Sequence, residues 1–450
     1  MKSIRTCNIT IVLVSCAVFM NAALACSDVM ITGNGFTAVA RSLDFPGGGQ
    51  PPGGGGIQMG YVPVGAENTA DLNLPQSWPP TPVTWRTAYA AIGQVRYTNA
   101  IHDGINSAGL YVARQNLPSA WTRYPSPVAT DPRPELGAMD VPSYILGTAA
   151  SVEEALTNLS QVQVVINAPL SNILGRTVPL AYPYHLIVRD RFGSTLVVEW
   201  IDGKTHTYYH RTGTPDTQER VDFGEPMIHQ GFTIAAVTNE PPLTWHIDNG
   251  KQYSSLFMGN SKAPVDDTVI LSTGYLGLPG DYSSPSRFTR LNVLARFAPA
   301  PLTAAQAESI AQSTLTTVIT PVSGGSEFTL WSSLSNLTDR IYYWHPVMNA
   351  VNTDTDALSA SPWDPTTPSA VRFELDLIMQ SGTLPKGFVD GRIQVTPVLS
   401  QAQVQIANQA AKAGIEPTIG PVSVNYSGAI TVFDRDAFDL SPGSGITYLP

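Results

Sequence analysis

All three cysteines of this 450-residue chain, Cys7, Cys16 and Cys26, stand near its start, and none follows. The segment before Cys26 is unlike the rest. Lys2 and Arg5 make a short positive start, an apolar stretch runs from Ile9 to Met20, and Ala23-Leu24-Ala25 comes next. This is the layout of a secretory signal ending in an A-x-A cleavage site. The apolar run is shorter than the ~20 residues a membrane span needs. No later stretch of the sequence is long and apolar enough to cross a bilayer. Cleavage after Ala25 removes Cys7 and Cys16 and leaves Cys26 as the first residue and only thiol of the mature chain. Such a chain closes no internal disulfide, so the body has to fold on its hydrophobic core. A lone thiol in an oxidising compartment is a liability unless it is used. The same junction has a second reading, a lipoprotein with a diacylglycerol on the cysteine. That processing favours an aliphatic residue three before the cysteine, where Ala23 stands. The expected location is periplasmic or secreted.

The length suffices for one large domain or two ordinary ones. Hydrophobic residues make up 43% of the chain, enough for a sizeable core, and 37 Gly and 37 Pro supply many turns. That mixture predicts a strand-rich globular body. Without Lys2 and Arg5 the chain carries 23 basic against 35 acidic residues, a net charge of −12. A chain this acidic, with no basic run, is not expected to bind nucleic acid.

Two short strands are predicted around Thr32-Gly33-Asn34-Gly35, between Ser27 and about Asp44. Residues 46–56, PGGGQPPGGGG, read as a surface loop, or else as a mobile rim to a pocket. Further strands are expected at Arg86–Gly93, Gly109–Leu117, His185–Arg189, Thr195–Ile201 and Thr205–His210. Asp190-Arg191-Phe192-Gly193 is the turn of a hairpin. Ser151-Val152-Glu153-Glu154 is a capping box opening a helix. Two more helices are expected, from Pro301 to about Thr316 and at Ser400–Ala413, where Gly414 stands ready as a C-cap. Residues 360–368 look like an insertion or linker. Three parts result: a signal over 1–25, a catalytic body over 26–378 and a C-terminal extension of unknown role over 379–450.

Several common chemistries are missing from the sequence. It has no G-x-S-x-G elbow, no G-x-x-x-x-G-K-[ST] loop and no H-E-x-x-H, and Gly33-Asn34-Gly35 lacks the third glycine of a dinucleotide loop. His206 and His210 share one face of a strand and read as surface residues more readily than as metal ligands. No cofactor and no metal is expected. Cys26 remains. As residue one it would carry its own base, because a free α-amine has a pKa of about 7.7–8.0. The thiol passes its proton to that amine, attacks a carbonyl and holds the acyl group as a thioester, which water then releases. Cations near the sulfur and donors for the oxyanion are still required.

At this point the sequence resembles the choloylglycine hydrolase family, the penicillin V acylases and conjugated bile salt hydrolases. Cys26-Ser27 followed by Ala40-Arg41-Ser42-Leu43-Asp44-Phe45 is similar to the family's mature start. His102-Asp103-Gly104-Ile105-Asn106-Ser107-Ala108-Gly109-Leu110, ending at Gln115-Asn116-Leu117, resembles its D-G-x-N-x-x-G-L…L-N segment. Val237-Thr238-Asn239-Glu240-Pro241 resembles its T-N-x-P. Residues 277–288, GLPGDYSSPSRF, resemble its G-L-P-G-D-x-S-S-x-S-R-F, and Phe328–Trp344 resembles its late W-S…N-L-x-x-x-x-Y-Y segment. Five motifs in the same order span about residues 26–378.

The resemblance implies an α+β fold, the four-layer αββα sandwich of N-terminal-nucleophile (Ntn) hydrolases, built on antiparallel sheets. It also implies roles. Cys26 is nucleophile and base, Arg41 favours the ionised thiol, and Asp44 orients the α-amine. Asn239 donates its side-chain amide to the oxyanion, Asn116 helps from its backbone N–H or by positioning, and Arg287 completes the charged cluster. Phe45, Trp121 and Trp245 are candidates to surround an acyl group, with ordinary core as the alternative for each. The implied partner is a small-molecule amide with an apolar acyl group, and the implied assembly is a homo-oligomer, a homotetramer by the same resemblance. The expected activity is that of an exported penicillin V acylase-like amidase that also acts on N-acyl homoserine lactones. A conjugated bile salt hydrolase is the alternative, and a lipid-anchored or secreted non-catalytic binding protein is the alternative of another class.

Overall fold

The computed structural model describes residues 26–46, 58–70, 72, 81–95, 101–118, 120–126, 128, 130–167, 170–173, 176–179, 183–253, 275, 277–320, 327–346, 370–380, 388–390 and 443–449. The expected signal, residues 47–56 of the glycine-rich loop, the 360–368 linker and the 400–413 helix lie outside them.

The hairpin at the start sets the frame. Cys26–Gly33 pairs antiparallel with Phe36–Pro46, with Gly33 opposite Phe36. The two residues between them, Asn34 and Gly35, have φ of 50° and 84°. An Asn-Gly pair takes positive φ at low cost, and two such residues in a row close a tight hairpin whose twist matches its strands. Among the described residues this hairpin lies within a seven-stranded sheet. Its order is Ala236–Val237, Cys26–Gly33, Phe36–Pro46, Glu327–Asn336, Ile341–Pro346, Ala370–Glu374 and Ile446–Leu449.

A second sheet has ten strands, in the order Met227–His229, Thr217–Val221, Lys204–His210, Thr195–Ile201, Tyr184–Asp190, Leu110–Asn116, Ile101–Asn106, Ala91–Val95, Gln58–Val62 and Phe388–Asp390. Every pairing in the two sheets is antiparallel except the last, Phe388–Asp390 with Gln58–Val62. Two short segments beyond residue 378 thus add an edge strand to each sheet.

Side-chain alternation turns these sheets into layers. Met30, Val39, Leu43, Trp331, Tyr342 and Phe373 of the first sheet meet Met59, Ile92, Ile105, Tyr111 and Ala113 of the second. The intervening Val29, Ile31, Ala38 and Ala40 point the other way, onto Leu291, Ala307, Ala311 and Leu315. Those four belong to the helices Ser284–Phe297 and Ala304–Thr316. On the outer face of the second sheet, Leu110, Val112, Leu186, Val188 and Val198 pack on Val141, Ile145, Val152 and Leu159. These come from the helices Val141–Thr148 and Val152–Ser160. Each such aliphatic side chain contributes about 1.5–3 kcal/mol when fully buried. The result is helix, sheet, sheet, helix, the expected αββα sandwich.

The capping box at Ser151 is present. Its Oγ accepts from Glu154 N at 3.2 Å, and the Glu154 carboxylate reaches back to Ala150 N at 2.8 Å. The helix after Pro301 begins at Ala304, capped by Thr303. The strand expected at Arg86–Gly93 is instead split into Thr84–Arg86 and Ala91–Val95. Between them the backbone leaves the ladder. Thr87 bonds Ala66 and Pro63, and Ala88 N donates to Gly147 O at 2.7 Å. The helices Val141–Thr148, Leu243–Gly250, Ser284–Phe297 and Leu375–Gln380 were not expected from periodicity. No helix among the described residues is long and apolar enough to cross a membrane.

Candidate active site

Cys26 opens its strand with no solvent exposure. Alternation sends its side chain, with those of Asp28 and Met30, into the space between the sheets. Ser27 points to the helix side. The same rule divides the partner strand, with Arg41 and Leu43 facing the second sheet and Ser42 and Asp44 facing the helices. One hairpin therefore delivers a thiol and a guanidinium to one face and a carboxylate to the other.

The Arg41 guanidinium, fully buried, lies 3.9 Å from Cys26 Sγ through NH2. Its NH2 also donates to the Arg114 carbonyl at 2.8 Å, and NH1 pairs with Asp103 Oδ2 at 3.4 Å. Trp331 lies under the guanidinium, 5.3 Å from ring centroid to Cζ. Burial opposes the Arg41 charge, but the Asp103 carboxylate and the Cys26 sulfur favour it, and its pKa is raised. Asp103 is itself held by Ser333 Oγ at 2.8 Å and Tyr342 OH at 3.0 Å.

Arg287, in the first turn of Ser284–Phe297, comes from the helix layer. Its NH1 donates to the Cys26 carbonyl at 2.7 Å and to Ser27 Oγ at 2.5 Å, and its NH2 donates to Asn239 Oδ1 at 3.2 Å. It lies 3.8 Å from Asp44 Oδ2. Asn239 directly follows the edge strand Ala236–Val237 and Thr238. Its Oδ1 also accepts from Cys26 N at 2.5 Å, and its Nδ2 donates to the Asn116 carbonyl at 2.8 Å. Cys26, Arg41, Asp44, Asn116, Asn239 and Arg287, spread over more than 260 residues, meet around residue 26.

One local detail differs from what the resemblance implies. The partner of the Cys26 nitrogen is Asn239 rather than Asp44, whose Oδ1 accepts from Thr329 Oγ1 at 2.5 Å. The sheet order explains this. The Cys26 nitrogen faces the strand that leads to Asn239, whereas Asp44 rises from the strand on the other side. Asn116 meets Asn239 through its carbonyl oxygen, which orients the amide, the geometry of its positioning role rather than of its N–H. Of the three aromatic candidates, Trp121 and Trp245 are each 43% exposed and belong to no core. The Phe45 side chain lies outside the described residues.

Burial pushes the Cys26 thiol up to about 11; Arg41 and Arg287 pull it down and Asp44 adds to the rise. Burial also pushes Asp44 up to about 6, with Arg287 and the Thr329 hydroxyl holding it back. The sulfur is therefore a neutral thiol near pH 7 unless a base acts on it. His206 bonds Glu219 and His210 bonds the Thr214 carbonyl. No group of potential metal ligands occurs among the described residues.

Sequence reasoning did not assign Asp103, although it stands in the quoted D-G-x-N segment and its carboxylate could have been matched to the charge of Arg41. It also passed over a buried pair. Arg189 NE and NH2 donate to both oxygens of Asp28, at 2.8 and 3.0 Å, and Asp28 Oδ1 also accepts from Val237 N at 3.0 Å. This clamp ties the Cys26 strand, the strand leading to Asn239 and the second sheet together. Its members stand 161 residues apart, and neither has a local signature.

A two-sheet sandwich with a buried cysteine opening an inner strand, ringed by two arginines, two asparagines and an aspartate, defines the Ntn-hydrolase class. A profile of the linear amide C–N hydrolases, choloylglycine hydrolase family, matches residues 64–223 and 224–366. The chain belongs to that family. It is 25% identical over 216 residues to a bile salt hydrolase/transferase of Clostridium perfringens, an alignment covering 46% of this chain. That alignment spans only 56% of the relative's own length. A bile salt hydrolase/transferase of Lactiplantibacillus plantarum is 25% identical over 280 residues, 58% of this chain and 75% of the relative. Among solved structures, penicillin V acylase from Agrobacterium tumefaciens superposes with a TM-score of 0.52 at 19% identity, covering 78% of this chain and 91% of that one. A variant of conjugated bile acid hydrolase from Clostridium perfringens gives 0.51 at 20% identity, covering 72% and 90%. Both structures share the fold.

Proposed function

We propose that the protein is an exported amidase that hydrolyses linear amides with apolar acyl groups, using the thiol of Cys26 as its nucleophile. One observation carries this reading. Arg41, Asn239 and Arg287 converge on the sulfur, nitrogen and carbonyl oxygen of residue 26 respectively. Among the described residues the side chain that hydrogen-bonds the Cys26 sulfur is Arg41, a cation rather than a base. Removal of the segment up to Ala25 would make the Cys26 nitrogen an α-amine and supply that base. A thiol pushed up to about 11 needs one in direct reach.

The reaction then follows. The free amine takes the thiol proton as sulfur attacks the amide carbonyl. The carbonyl π pair moves onto oxygen, which accepts from the Asn239 N–H not given to Asn116, the Asn239 Oδ1 being engaged by Cys26 N and Arg287. Collapse expels the leaving nitrogen, which takes the proton from the ammonium, and leaves a thioester on Cys26. Water, deprotonated by the same amine, attacks the thioester, and the acid departs with the thiol restored. Arg41 stabilises negative charge on sulfur in both steps.

Arg41 and Arg287 are committed to the thiol, the Cys26 carbonyl and Asn239, leaving neither for a charged acyl group. The net charge of −12 left once Lys2 and Arg5 are removed also mildly disfavours anionic substrates. Penicillin V and long-chain N-acyl homoserine lactones are therefore favoured, with binding from buried carbon at about 0.8 kcal/mol per CH₂. A second reading has its own support, because the two curated relatives are bile salt hydrolase/transferases. A hydrolysis panel decides between them. Phenoxyacetyl and long-chain acyl amides should have the higher kcat/KM, rising along a homologous acyl series until the pocket is full. Faster cleavage of glycine- or taurine-conjugated bile acids would reverse the substrate assignment. An intact mass showing a diacylglycerol on Cys26 would favour the anchored binding protein.

A further inference from the structure

Asn239 stands where the edge strand ends, and the residues after it, Glu240-Pro241-Pro242, include two that have no N–H to give. Its side chain is held from three sides, by Cys26, Arg287 and Asn116. Its backbone carbonyl is buried as well and needs a donor from outside the ladder. His246 supplies one, with Nε2 at 3.3 Å from Asn239 O. A carbonyl oxygen only accepts, so the bond requires the Nε2–H tautomer. His246 is 2% exposed; the Pro241 carbonyl also lies against its ring, and its Nδ1 makes no hydrogen bond of good geometry among the described residues. Burial holds the imidazole down to about 3, so the ring is neutral over the working pH range.

The ring is fixed from both ends. It stacks on Phe288 at 4.3 Å between centroids and 17° between planes, and Phe288 directly follows Arg287. The helix that carries His246, Leu243–Gly250, begins after Pro242, which offers no side-chain cap. Glu199, buried in the second sheet, takes that part by accepting from Leu243 N at 2.9 and 3.2 Å.

We infer that His246 is a positioning residue, whose donation to the Asn239 carbonyl fixes the peptide from which the Asn239 amide projects toward the reacting carbonyl. This deepens the reading of Asn239 given above and rests on it. The bond holds the backbone while Asn116 holds the amide, and the Phe288 stack keeps both in register with Arg287.

The test is a double-mutant cycle on the mature enzyme with penicillin V. His246→Phe keeps a stackable ring and removes the donor. It should lower kcat about tenfold, the effect of one neutral hydrogen bond, with KM within about twofold. His246→Gln, which retains a donor, should recover most of the loss. The double variant His246→Phe/Asn239→Ala should be no slower than Asn239→Ala alone, because His246 acts only through Asn239. Losses that multiply, or a folded His246→Phe with wild-type kcat, overturn the inference. A measurement on the unaltered protein stands beside the variants should they fail to fold. The ¹⁵N shifts of His246 should report the Nε2–H tautomer and a neutral ring down to about pH 4. The Nδ1–H tautomer overturns the proposal. Full turnover by Cys26→Ser would sink the nucleophile reading, and the tautomer result would still judge His246.

Discussion

Arg287 NH1 donates to the backbone carbonyl of Cys26 at 2.7 Å, so the helix layer grips the first residue of the strand Cys26–Gly33 by its main chain. Sulfur, nitrogen and oxygen of one residue are each held by a different layer or strand. The pose of the thiol thus depends on long-range packing.

Asn239→Ala should lower kcat by roughly 10²–10³-fold, the usual loss for one oxyanion donor. KM should change little, because the donor serves charge that develops only in the transition state. Steady-state kinetics check this. Wild-type kcat with a raised KM would mean that Asn239 only binds substrate.

Burial pushes the Asp44 carboxyl up to about 6 in the folded protein. Below that pH its protonation weakens the tie to Arg287, so kcat/KM should fall through an acid limb centred near 6, and Asp44→Asn should lack that inflection. Stability runs the opposite way. A carboxyl whose folded pKa exceeds its unfolded value stabilises most below the unfolded value and loses that contribution as pH rises through the folded one. Urea denaturation between pH 4 and 7 should show this slope, about one group's worth, in the wild type and not in Asp44→Asn. Identical slopes would locate the titration elsewhere.

Asp28→Ala should cost about 3–5 kcal/mol in unfolding free energy, because it strands the Arg189 guanidinium without its counter-charge. Both side chains have no solvent exposure. Chemical denaturation measures it. A loss under about 1 kcal/mol would mean that water or a neighbour repairs the site.

Local signals made part of this fold legible. Asn34-Gly35 announced the hairpin, Ser151 with Glu154 a helix, and Asp190–Gly193 another turn. Cys26 is legible from the signal junction, whereas the five residues around it are reached by motif resemblance, since no spacing in the sequence joins Cys26 to Arg287. The helix bearing Arg287 was overlooked although Pro285, just inside its start, is a helix-start signal. Leu243–Gly250 is harder to see, because its first N–H is capped by Glu199 from another strand. The Arg86–Gly93 strand failed because Thr87 and Ala88 spend their hydrogen bonds on a loop and a helix that sequence patterning does not place beside them. Asp28–Arg189 and Asp103–Arg41 are products of the sheets facing one another, and only the assembled sandwich shows them.

Mass spectrometry of exported protein quenched during turnover of penicillin V tests the central claim most directly. The N-terminal peptide should begin at Cys26 and carry a phenoxyacetyl group on its sulfur, labile to hydroxylamine as a thioester is. The adduct should be absent from Cys26→Ser, whose hydroxyl is too weak an acid for the α-amine to activate. A mature chain beginning at another residue, or an acyl group trapped on a different side chain, would contradict the account.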